Sequence, residues 1–142
     1  MRKAGPFSTI WKRFSKPLVL AHLQTDGSFR YTDRVSRTAA LLKSEETYKS
    51  VKTYFDHQNS YESEWCSILD GIQMTQKNEV SSIKVENDNL GVINSLVQRR
   101  PPRHEYAAAY YDLILKEVQQ MDYVEMRWIP RRYNKADGLF RI

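Results

Sequence analysis

A chain of 142 residues is about one domain's worth, long enough to bury a real core. Hydrophobic residues make up 41% and charged residues 27%, a balance that excludes a disordered tail or a collagen-like repeat. No apolar run approaches the roughly 18 residues of a transmembrane helix, and the single cysteine, Cys66, has no internal partner. That usage fits a reducing, intracellular compartment and no membrane partner.

The net charge of +5 is placed at one end. Arg2, Lys3, Lys12, Arg13 and Lys16 precede the first acid, and the remainder of the chain is balanced. Residues 1–17 therefore read as a basic arm on a neutral domain spanning 18–142. The arm is suited to a polyanion or is a solvated extension. Ser8 is placed to cap a short helix with Ile10, Trp11 and Phe14 on one side and Lys12, Arg13 and Lys16 on the other. The same acid-free pattern occurs in organelle transit peptides, the alternative to a cytoplasmic chain with a docked arm.

From Leu18 the pattern becomes that of a sheet. Leu18 to Thr25 is an apolar strand closed by Asp26-Gly27-Ser28. Arg34 to Lys43 and Tyr48 to Asp56 form a hairpin about Ser44-Glu45-Glu46. Trp65, Ile68, Leu69 and Ile72 then share one face of a helix running from Ser60 to Lys77. A fourth strand carries Ile83 and Val85 and ends at Asp88. A short helix with Leu90, Val92, Ile93, Leu96 and Val97 stops at Arg99-Arg100-Pro101-Pro102. The next helix spans Arg103 to Met121, with Tyr106, Tyr110, Leu113, Ile114 and Val118 inward. Val124 to Pro130 is a fifth strand, and a last turn or short helix begins near Asn134. This order predicts an α/β domain: a mixed five-stranded sheet with its first three strands antiparallel, its last two parallel to the first, and helices on its faces.

Asp26 and Asp88 sit at the ends of strands one and four, where open α/β sheets gather ligands. Glu64 lies in the first turns of the long helix, and Asp137 begins the last one. Carboxylates pressed together repel one another and are tolerated when a divalent cation neutralises them; oxygen-only ligands favour Mg²⁺ or Mn²⁺. Other chemistries lack support. No Cys/His pair has zinc spacing, the glycines build no phosphate loop, and His22, His57 and His104 have no elbow serine to serve.

Thr25-Asp26-Gly27-Ser28, Tyr61-Glu62-Ser63-Glu64-Trp65, Glu86-Asn87-Asp88-Asn89 and the run Trp128-Ile129-Pro130-Arg131-Arg132-Tyr133-Asn134-Lys135-Ala136-Asp137 together resemble the ribonuclease H family. The nearest match is its plant, retroelement and archaeal-like branch, and the resemblance covers residues 18–142. It implies an endonuclease that uses two Mg²⁺ or Mn²⁺ ions to hydrolyse the RNA strand of an RNA–DNA hybrid. Asp26 then bridges both ions, Glu64 and Asp88 complete one site, and Asp137 completes the other. Ser28 and Asn59 match positions that touch the nucleic-acid strand, although Asn59 equally suits a helix cap. Arg131 and Arg132 are placed for phosphate contact, as is Asn134 beside them. Arg99, Arg100 and Arg103 either grip phosphates or meet a helix dipole and solvent.

Three departures accompany the resemblance. The catalytic-loop histidine of many members is replaced by Arg131, Arg132 and Tyr133, as it often is in this branch. The Asn134–Asp137 segment is one residue shorter than the usual pattern. Only a short stretch, ending at Ile142, follows Asp137. The competing readings are a catalytically weak binding module, and a resolvase or exonuclease on the same fold. A monomer is the expected oligomeric state.

Overall fold

The computed structural model describes residues 5–141, so Arg2, Lys3 and Ile142 lie outside the described residues. The elements are β1 (Ser8–Lys12), β2 (Ala21–Arg30), β3 (Val35–Lys43), β4 (Thr47–Tyr54), α1 (Ser60–Lys77), β5 (Ser82–Asn87), α2 (Leu90–Gln98), α3 (Glu105–Val118) and β6 (Tyr123–Trp128). Two 3₁₀ helices close the chain, Arg131–Tyr133 and Lys135–Arg141. The strands form one six-stranded sheet in the order β1-β6-β5-β2-β3-β4. The β2–β3 and β3–β4 pairs are antiparallel, and β5 and β6 run parallel to β2.

The sixth strand corrects the expected N-terminal helix. Ser8–Lys12 pairs antiparallel with β6, with a bulge between Thr9 and Trp11. So short a segment does not nucleate a helix on its own, whereas the edge of β6 offers a row of unpaired backbone groups. Side chains then fix the strand. Ile10 enters the main core at 4% exposure, Trp11 Nε1 donates to the Met121 carbonyl at 2.8 Å, and the Arg99 guanidinium donates to the Ile10 carbonyl. Arg99, although exposed, thus helps to hold the arm.

Two other boundaries differ from expectation. β2 does not close at Asp26-Gly27-Ser28 but runs on to Arg30, because β3 supplies ladder partners to its end (Gly27 opposite Thr38, Ser28 opposite Arg37). Leu18 and Val19 lie outside the strand and are exposed. In α3 Ile114 and Val118 are buried as expected, Tyr106 and Tyr110 are half-buried against the core, Ala107 and Tyr111 join the buried face, and Leu113 is exposed. Small Ala107 permits close approach to α1, and Tyr111 meets Trp65 edge-on with ring centroids 6.4 Å apart.

The sheet has two unlike faces. On one, Leu23, Val85 and Met126 join the interior residues of all three helices in a single core. On the other, alternation brings up Gln24, Asp26, Glu86 and Arg127, while Ala39 and Leu41 meet Ala136 and Leu139 of the last 3₁₀ helix. The acids of interest emerge where the polar face meets the carboxyl ends of β5 and β6.

Candidate active site

Asp26 projects from the middle of β2, Glu64 from the second turn of α1, and Asp88 from the residue after β5. Their ligating oxygens all lie within 4.8 Å of one another. The approach of α1 to β2 makes this possible. A Cβ at Gly27 would stand 2.5 Å from the Ser63 carbonyl carbon, so only glycine lets the helix come this close. The Ser63 hydroxyl bridges the Ser28 and Arg37 carbonyls, and the Gly27 N–H donates to Glu64 Oε1 at 2.8 Å. Asn59 caps the helix by accepting the Glu62 N–H at 2.9 Å, and Glu62 in turn accepts the Gln58 N–H at 2.8 Å.

The electrostatics express the crowding. Burial first, then the charges of Asp88 and Asp137 and a side-chain hydrogen bond with Asp137, push Asp26 up to about 8, against a smaller downward pull from Arg131. Burial together with Asp26 and Asp88 holds Glu64 well above the ordinary carboxylate range. Asp88 is raised by burial and by Asp137, while Arg131 and a hydrogen bond from Asn134 oppose the rise. In this form the site keeps protons that a cation would replace. Three convergent carboxylates with no nitrogen or sulfur donor fit a hard, oxygen-seeking ion such as Mg²⁺ or Mn²⁺.

Asp137 stands beside Asp26 but outside the three-acid cluster. Its carboxylate takes Arg141 at 2.9 Å and faces Arg131 at 3.9 Å. Asn134 is buried, so its place is against the protein rather than at a nucleic-acid surface. Its amide donates to the Thr25 carbonyl at 2.8 Å, and its oxygen accepts the Ala136 N–H at 3.2 Å. Arg131 and Arg132 are exposed on the same loop, with Arg132 lying over the Tyr133 ring. Ser28 is half-buried in β2 next to Gly27. Arg103 is exposed in the loop before α3. The catalytic-loop segment holds no histidine in the structure either, and the basic Arg131 occupies the space facing Asp88 and Asp137.

Three supporting residues escaped the sequence reading. Asn87 is fully buried, donates to the Thr25 carbonyl at 3.0 Å and hydroxyl at 3.1 Å, and also bonds the Glu64 side chain. Gln24 and Glu86 sit two residues before Asp26 and Asp88, on the same sheet face. That two-residue offset was the available signal: a polar residue inside an apolar strand, in phase with an acid.

Residues 24–137 match the model of the reverse transcriptase-like family, a ribonuclease H-like group. The chain belongs to the ribonuclease H family. Solved ribonucleases H share its fold. RNase H1 of the halophilic archaeon Halobacterium salinarum NRC-1 superposes with a TM-score of 0.77 at 15% identity, over 85% of this chain and 94% of that one. The N-terminal RNase H domain of Rv2228c from Mycobacterium tuberculosis, solved as a maltose-binding-protein fusion, gives 0.78 at 18% identity, over 85% and 90%. LC11-RNase H1 in complex with an RNA/DNA hybrid gives 0.75 at 14% identity, over 84% and 92%. No curated protein matches in sequence. Among the described residues, no helix is long and apolar enough to cross a membrane.

Proposed function

We propose that this chain is a divalent-metal-dependent endonuclease that hydrolyses the RNA strand of RNA–DNA hybrids. The observation that carries the reading is the three-carboxylate cluster on a ribonuclease H scaffold, with Asp137 beside it. Asp26, Glu64 and Asp88 would hold one cation, and Asp26 with Asp137 would hold a second. When bound, the cations supply Lewis-acid charge for in-line phosphodiester hydrolysis.

The chain's own residues do the rest. Glu64 is fixed by the Gly27 N–H, and Asp88 by Asn134, so both oxygens are aimed before substrate arrives. Arg131 and Arg132 offer exposed guanidinium groups to the phosphates flanking the cut. The half-buried Ser28 of β2 and the exposed Arg103 before α3 meet the hybrid backbone. Recognition is of groove shape and 2′-hydroxyls rather than of base sequence.

A substrate panel separates this reading from its rivals. With Mg²⁺ or Mn²⁺, the protein is expected to cut a hybrid, leaving 5′-phosphate and 3′-hydroxyl ends, and to spare duplex RNA, duplex DNA and a four-way junction. Junction cleavage would instead favour a resolvase, and binding without cleavage a recognition module.

A further inference from the structure

Below the acids, the polar face of the sheet carries a chain of buried hydrogen bonds that leads to the loop bearing Asp137. Glu86, only 3% exposed, accepts from Arg127 Nε at 2.6 Å, pairs with the Arg127 terminal nitrogen at 2.6 Å, and meets His22 Nε2. Its other contact is with Gln24, whose amide nitrogen donates to Glu86 Oε1 at 2.9 Å. The same nitrogen donates to the Tyr133 carbonyl at 3.2 Å, and the Gln24 oxygen accepts the Lys135 N–H at 3.0 Å. The Gln24 amide therefore pairs with the loop backbone as a second peptide group would. Lys135 opens the 3₁₀ helix that carries Asp137, and that helix starts with its first N–H satisfied from β2. Between the two contact points, Asn134 is tied to the Thr25 carbonyl.

We infer that Gln24, oriented by Glu86, is a positioning residue that sets where Asp137 stands against Asp26, and so controls the second cation position. The inference rests on the hydrolase reading and deepens it. Gln24 itself touches no reacting group. It makes no hydrogen bond to Asp26, Glu64 or Asp88 among the described residues, and it reaches the tighter cation position only indirectly, through the loop residue Asn134. Only an amide fits. A carboxylate at position 24 would face Glu86 and lose the donor to Tyr133, and an apolar side chain would leave both the Tyr133 carbonyl and the Lys135 N–H without partners. The one-residue shortening between Asn134 and Asp137 makes this clamp matter, since a shorter loop has less slack with which to recover the aim of Asp137.

The test compares the parent with Gln24→Met and Gln24→Glu, using Mn²⁺ calorimetry, hybrid cleavage and melting. The parent is expected to bind two ions of unequal affinity. Gln24→Met should weaken the weaker ion about tenfold and lower kcat by a similar factor, the scale on which supporting hydrogen bonds tune metal sites. The tighter ion and the KM for hybrid should stay within about twofold. Gln24→Glu should be worse, because it sets a second carboxylate against Glu86 and removes the donor to Tyr133. A single-ion isotherm in the parent or an unchanged weaker ion in Gln24→Met would overturn the inference. A parent that binds two ions but leaves hybrid intact would defeat the hydrolase reading alone, and the isotherms would still decide the role of Gln24.

Discussion

Asp26 is one of three raised carboxylates at the site, and its behaviour without metal is predictable in sign. Its pKa is raised to about 8 in the folded chain, whereas the unfolded chain titrates near 3.8. Between those values the folded form holds a proton that the unfolded form has released, so this group's contribution to stability falls as pH rises. Asp26→Asn removes the ionisation and keeps the shape. In the absence of divalent ions it should melt about 2–5 °C higher than the parent at pH 8 and by a smaller margin at pH 5. Gly27→Ala should act in the opposite direction. The added Cβ collides with the Ser63 backbone 2.5 Å away, and overpacking of this kind costs about 1–3 kcal/mol. Because Glu64 takes its hydrogen bond from Gly27, the same substitution should weaken Mn²⁺ binding in calorimetry. The acids themselves were legible in the sequence because each lies in a recognisable motif. Gln24 and Glu86 were not, because a lone polar residue in a strand looks the same whether it meets water or a partner brought from 109 or 62 residues away.

At the scale of elements, period and turn chemistry located the interior strands and all three helices, since each carries enough apolar residues to declare its face. The arm was misread for a physical reason. Ile10, Trp11 and Phe14 fit a helical stripe as well as a strand, and only the unpaired edge of β6 decides between them. The arm now reads as a structural strap. Arg13 donates to the Gln119 carbonyl at 2.7 Å and Lys16 pairs with Glu125 at 2.9 Å, so two of its cations already have protein partners. Ile10→Ala should therefore cost ~2 kcal/mol, and deletion of residues 1–16 should lower the melting temperature further. The slope of log K against log salt for hybrid binding should change by less than the ~0.9 that one phosphate contact contributes. A truncation that kept its melting temperature but flattened the salt dependence would return the arm to a nucleic-acid role.

For the whole molecule, two groups of carboxylates oppose each other across the pH scale. Burial alone would raise Glu86, but His22, Gln24 and Arg127 outweigh it and bring the group down to about 2. Its stabilising contribution is present above the ordinary carboxylate range and is lost as pH falls from about 4.5 towards 2. The raised acids of the active site lose theirs as pH climbs. The metal-free protein should accordingly be most stable near pH 5, and Mg²⁺ should raise its melting temperature more at pH 8 than at pH 5. A cation effect independent of pH would argue against binding at these acids. The central claim, that this carboxylate cluster cuts hybrids with divalent metal, is tested most directly by incubating an RNA–DNA hybrid with the parent and with Asp26→Asn in Mg²⁺ or Mn²⁺. The account predicts RNA fragments from the parent and an intact hybrid, still bound, with Asp26→Asn; cleavage by Asp26→Asn at the parent's rate would contradict it.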